Sequence, residues 1–355
     1  MLDLYQKFVC VRVTDMRGVD LSRYVFDFDL TFAALTMHPG GRIYHRYGSR
    51  DSRAADVWLS SASLKFVLQE SVRDHANFDS MEKRRPQAPS FGLAKAKVGK
   101  PVVMEGIPSF QKRDKGECIH CHSIHPAFYE EAVAAKTWRS EKKWVYPDPS
   151  RIGIDLDADQ QRLIFSVAAK SPAETAGLKP GDQITRLNGI SIASAADVMF
   201  ALDGLPGSAT TTKVEILRDG KTEVINLKLG KNWKVGTPQT FAWRPFKWGL
   251  TPAPGFGGPQ LSADELSDLG IHADAFAFRV QYLVTWNENR RYGQAAAKAG
   301  LRKGDVVLSL AGKSDFESVE HFHSWWRLTR KVGETVKIEI LRNGKRDTLN
   351  LKIVE

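Results

Sequence analysis

Five consecutive residues, Cys118-Ile119-His120-Cys121-His122, carry the most specific chemistry in the chain. Their C-x-x-C-H spacing suits covalent haem attachment, with two thiols and one imidazole brought to a single porphyrin edge. A second chemistry uses the same atoms: Cys118, Cys121 and two of His120, His122 and His125 offer thiolate and imidazole ligands for zinc. A third is a redox or structural C-x-x-C pair. Cys10, the remaining cysteine, lies in an apolar run and is expected to be a small buried hydrophobe.

The motif resembles that of c-type cytochromes. The resemblance implies haem c at Cys118 and Cys121, with His122 as proximal ligand. Met104, His120 and His125 are the nearby residues for the far side of the iron, because no Met occurs between His122 and Met199. The expected haem or metal set is therefore Cys118, Cys121, His122 and His125, with haem c or zinc as cofactor. No catalytic residue is assigned. A P-loop, a G-x-G-x-x-G turn and a G-x-S-x-G elbow are all missing from the sequence.

Composition bounds the partners. The 355 residues are 42% apolar and 26% charged, with a formal net charge of +10, enough for several domains with their own cores. The basic excess is scattered apart from Glu82-Lys83-Arg84-Arg85, and no nucleic-acid recognition motif accompanies it. No apolar run approaches the ~18 residues of a membrane span. Met1-Leu2-Asp3-Leu4-Tyr5 does not read as a secretory leader. The expected location is the periplasm or another exported compartment if the full-length protein carries a signal, with the cytoplasm as the alternative.

Four segments position these groups. In residues 1–78, Phe8–Thr14 and Leu30–Met37 have the β-branched and aromatic content of strands. His38-Pro39-Gly40-Gly41 turns into a third strand at Arg42–Tyr47, and Leu64, Val67, Leu68 and Val72 recur at helical spacing. The order of strand, link, hairpin and helix resembles the C-terminal half of a thioredoxin-like fold. With the later modules it is similar to a family of bacterial thioredoxin-like/PDZ domain proteins that includes selenoproteins. That resemblance implies an active site and signal upstream of Met1. Residues 79–149 read as a Lys-, Pro- and Gly-rich linker followed by the C-x-x-C-H segment.

One block then recurs. Ala176-Gly177-Leu178-Lys179-Pro180-Gly181-Asp182 returns as Ala299-Gly300-Leu301-Arg302-Lys303-Gly304-Asp305, and Ile216-Leu217-Arg218-Asp219-Gly220-Lys221 as Ile340-Leu341-Arg342-Asn343-Gly344-Lys345. These copies resemble bacterial PDZ domains, at 150–232 and at 243–355 with an insertion at about 251–276. The resemblance implies peptide strands added to a sheet edge, with the terminal carboxylate held by a Φ-Gly-Φ loop. The matching positions are Arg151, Ile152, Gly153 and Ile154 in the first copy and Lys247, Trp248, Gly249 and Leu250 in the second.

The expected fold class is α+β and multidomain, a partial thioredoxin-like α/β segment followed by two PDZ-type β-rich domains. The expected function is a non-proteolytic, redox-associated scaffold that binds protein C-termini or internal peptide strands and a redox partner. A structural zinc scaffold, or a thiol oxidoreductase with its active site upstream of Met1, are the alternatives.

Overall fold

A computed structural model describes residues 2–30, 32–78, 102–107, 118–286 and 289–355. The expected linker at 79–100 and the approach to the cysteines at 110–117 lie outside the described residues. The chain forms two compact units, Met1–Gly236 and Thr237–Glu355.

Each unit is built on one four-stranded antiparallel sheet. In the first, β5 (Gln183–Leu187), β6 (Ile190–Ser191), β7 (Thr210–Arg218) and β8 (Lys221–Leu229) take the order β6-β5-β7-β8. In the second, β10 (Phe278–Arg279), β12 (Val306–Leu310), β13 (Thr335–Arg342) and β14 (Lys345–Lys352) take the order β10-β12-β13-β14. The long hairpins close on Asp219-Gly220 and Asn343-Gly344, each pair at positive φ, as a two-residue turn matched to strand twist requires. A helix lies over each sheet, α4 (Ala195–Asp203) in the first unit and α8 (Val319–Thr329) in the second. Both are capped by serine, Ser194 and Ser318, whose side chains accept from the third amide of the helix.

The repeated sequence block has a physical cause. Asp182 is buried and accepts a forked pair of bonds from Arg218 Nε and Nη2, both 2.7 Å, while its second oxygen takes the amide of Lys179. Asp305 does the same with Arg342, at 2.7 and 2.7 Å, and with the amide of Arg302. The Gly-Asp turn and the hairpin arginine, 36 residues apart in one copy and 37 in the other, are thus one structural element.

The thioredoxin-like reading of residues 1–78 does not hold. The segment contains a hairpin, β1 (Ala34–Met37) and β2 (Ile43–Tyr47), and α1 (Ser61–Ala76), but Phe8–Thr14 is not a strand. Val9, Val11 and Val13 are 94%, 81% and 59% exposed, and Cys10 is exposed as well, so among the described residues the alternation meets no sheet that would satisfy it. The hairpin and α1 are docked on the first repeat. His45 of β2 is buried, with Nδ1 2.9 Å from an Asp197 oxygen on α4 and Nε2 3.1 Å from an Asp74 oxygen on α1. Arg46 N–H donates to Asp197, and its guanidinium stacks 3.2 Å from the Phe200 ring centroid.

Candidate functional site

In the first repeat, Asp148 caps a 3-10 turn at Pro149–Ile152 by accepting from Ser150 N–H, and the turn ends on Gly153 at φ +89°. β3 (Ile154–Leu156) then pairs with β4 (Ile164–Val167), and Gly153 C=O accepts from Ala168 N–H at 2.8 Å. A Cβ on Gly153 would lie 2.0 Å from Ser171 Cβ, so both the left-handed backbone and the close approach demand glycine. Ile152, Ile154 and Leu156 are buried in one cluster with Val198 and Leu202 of α4.

The second repeat builds the same loop at a different sequence position. β9 (Phe256–Gly257) pairs with β11 (Tyr282–Leu283), and Gly255, at φ +82°, accepts from Val284 N–H at 2.8 Å. A Cβ there would fall 2.2 Å from the Tyr292 carbonyl carbon. The register is fixed independently: Val280 N–H donates to Asp305 C=O and Val280 C=O accepts from Gly304 N–H, as Ile164 does with Asp182 and Gly181. Gly255 is therefore the counterpart of Gly153, six residues beyond Gly249. Trp248-Gly249-Leu250 satisfies Φ-Gly-Φ in the sequence, whereas Pro254-Gly255-Phe256 has Pro in the first position.

Trp248 packs on α8, with its ring 4.7 Å from the His323 ring and 5.0 Å from the Arg327 guanidinium. Leu250 and Lys247 are buried. Tyr146 stands seven residues before Gly153, as Trp248 stands before Gly255, and it packs on Met199 and Phe200 of α4. His323 is held well below its ordinary pKa, first by burial and then by Arg327 and Lys247. Burial also brings Arg327 down to about 10, with the Tyr282 and Tyr292 hydroxyls opposing. Arg151 donates to the Val235 carbonyl. Trp326 is core, and Trp325 packs partly buried against the same cluster.

The insertion of the second repeat includes α6 (Ala263–Asp268), numbered after α2 (Ile124–Ala134), α3 (Pro172–Ala176) and α5 (Pro238–Phe241). Its Leu266 packs with Leu308 and Leu341 of the sheet.

The C-x-x-C-H residues are placed apart from these loops. Cys118 is exposed, while Cys121 is half-buried with its thiol against Leu30 C=O. Burial raises the Cys121 pKa, which disfavours the thiolate that zinc requires. The rings of His122 and His120 stack at 5.3 Å, and burial followed by His120 lowers the His122 pKa. Ile119, Ile124 and Met104 form a buried core with Leu21, Phe26 and Phe28. A porphyrin joined at Cys121 would have to displace that core and the Leu30 carbonyl, so these residues as folded do not fit haem c. His125, expected with the cysteines, is grouped instead with Asp27 and Asp29, one ligand atom of each lying within 4.8 Å of the others.

The PDZ domain family profile matches residues 150–229 and 290–353. Two PDZ domains are present. Among curated proteins, the chain is 36% identical over 85 residues to serine protease Do-like HtrA of Lactococcus lactis, covering 24% of this chain and 21% of that protein. It is 28% identical over 155 residues to the periplasmic serine endoprotease DegP of Escherichia coli K12, covering 44% and 27%. A solved HtrA-type protease, AlgW with decapeptide, is similar over 40% of this chain and 41% of that one, at 16% identity and a TM-score of 0.24. The chain thus spans well under half the length of these relatives. The curated relatives are serine proteases, which overturns the thioredoxin-like/selenoprotein resemblance and, with it, the reading as a non-proteolytic redox scaffold; the expected redox partner finds no support in them.

Proposed function

We propose that this chain captures extended peptide ends through its two PDZ domains, in the service of an exported proteolytic system of the HtrA or DegP kind. The observation that carries the reading is the loop built twice. Gly153 and Gly255 share a left-handed φ, the same main-chain bond to the neighbouring strand, and a close approach that excludes any side chain. Glycine at this point keeps a Cβ out of the path of an incoming carboxylate, and β3 and β9 each offer an edge to which a peptide strand adds. The apolar wall of Ile152, Ile154 and Leu156 suits an apolar terminal side chain. DegP is a periplasmic endoprotease, which supports an exported setting for this protein too. No helix among the described residues is long and apolar enough to cross a membrane.

Fluorescence anisotropy with labelled decapeptides that end in a free-carboxylate Val, Leu or Phe tests the binding. Gly153→Val and Gly255→Val together are expected to weaken it by about tenfold or more, the scale of losing a few charge-assisted hydrogen bonds. C-terminal amidation should do the same. Unchanged binding by the double variant refutes the reading. Cleavage of the peptide that a serine-directed fluorophosphonate abolishes would place proteolysis in this chain; intact peptide would confine the chain to capture.

A further inference from the structure

Residues 49–58 follow β2 and run lengthwise between α4 and β3. At one end Ser49 Oγ donates to Met199 Sδ on α4 at 3.2 Å. Midway, Arg53 bridges to Asp155 on β3 at 3.2 Å. At the other end Trp58, 1% exposed, is buried in the same cluster as Ile152, Ile154 and Leu156 and as Ala195, Val198 and Leu202 of α4. Gln161 fastens that end, donating to Trp58 C=O at 2.8 Å while its own carbonyl oxygen accepts from Ala195 N–H at the start of α4. The segment is knotted internally on Asp51, whose carboxylate accepts from Trp58 Nε1 and from the Arg53 guanidinium and amide.

The space between β3 and α4 is where a PDZ domain lays its peptide. We infer that residues 49–58 are an intramolecular occupant of the first repeat's groove, so that this strap and an incoming peptide compete for one site. The inference rests on the peptide-capture reading and adds its regulation. A tethered occupant acts at an effective concentration in the millimolar range, so a peptide sees its affinity reduced by the fraction of chains in which the strap is open. The contacts named are made chiefly by side chains, so a peptide that forms main-chain bonds along β3 gains something the strap does not supply.

The test uses the full chain carrying Gly255→Val, which silences the second repeat, with and without Trp58→Ala. Two probes are titrated: the free-carboxylate decapeptides and a labelled synthetic peptide of residues 47–60. Opening the strap should tighten decapeptide binding about tenfold or more, and the strap peptide should bind the Trp58→Ala chain while the closed chain refuses it. Equal affinity of open and closed chains for the decapeptides, or a folded open chain that binds no strap peptide, overturns the inference. If the decapeptides bind no form of the protein, the capture reading fails, and the strap peptide still decides whether the groove is self-filled. Should Trp58→Ala not fold, Arg53→Glu, at a half-exposed position, opens the strap more gently, with an expected gain of about threefold. Faster hydrogen exchange across 49–58 on adding peptide to the otherwise unaltered chain is the accompanying readout, and unchanged exchange at saturating peptide counts against competition.

Discussion

His45 shows how one side chain ties the N-terminal segment to the first repeat. Burial pushes its pKa down, but Asp197 and then Asp74 more than offset this and raise it to about 9. The imidazolium is therefore the folded form at neutral pH, clamped between α1 and α4. Because the folded pKa lies above the ordinary 6.5, the clamp contributes fully below about pH 6.5 and is lost as pH rises towards 9. The full contribution is on the order of 3 kcal/mol, from a shift of roughly two pKa units or more at about 1.4 kcal/mol each. Denaturant curves of the native protein and of His45→Gln should differ most at pH 6 and converge by about pH 9.5. A difference that grows with pH would contradict this assignment. At the same scale, Arg218→Met and Arg342→Met each strand a buried aspartate, at an expected cost of about 3–5 kcal/mol. Asp182→Leu added to Arg218→Met should recover part of the loss, since a buried pair replaced by apolar groups costs less than half a pair left behind. Two additive losses in that cycle would show the side chains to be independent.

At the scale of elements, what was legible depended on whether a local rule had a local cause. The repeat was readable because its Gly-Asp turn and hairpin arginine bond to each other, so both halves of the motif must recur together. Helix α1 was readable from Leu64, Val67 and Leu68, and the structure runs it from Ser61 to Ala76 with Ser60 as its cap. Val9, Val11 and Val13 misled because alternation states a preference for a sheet and not the presence of one. The second Φ-Gly-Φ position differs in kind: Trp248-Gly249-Leu250 obeys the local pattern, and only the bonds of Val280 to Asp305 and Gly304 make Gly255 the counterpart of Gly153. Those partners are 24 or more residues from Val280, so nothing nearby in sequence announces them. The C-x-x-C-H stretch was the strongest local signal, and in the fold its Ile119 is core and its thiol at Cys121 faces a backbone carbonyl.

Across the whole molecule the governing quantity is charge. The chain carries 51 Lys and Arg against 41 Asp and Glu. A peptide with a free carboxylate approaches a protein of net charge +10, and long-range attraction of that kind acts on the encounter more than on the bound contacts. In the second repeat Lys247 and Arg327 lie 4.7 and 5.0 Å from the Trp248 ring centroid, and in the first repeat Arg53 and Arg151 are engaged by Asp155 and by Val235 C=O. The Debye length shortens from about 10 Å at 0.1 M salt to about 3 Å at 1 M. Raising salt from about 0.05 to 0.5 M should therefore slow association of a free-carboxylate decapeptide several-fold and leave its dissociation nearly unchanged. Stopped-flow anisotropy separates the two rates. If salt acts equally on dissociation, the attraction resides in a close ion pair within the bound complex and not in the field of the chain.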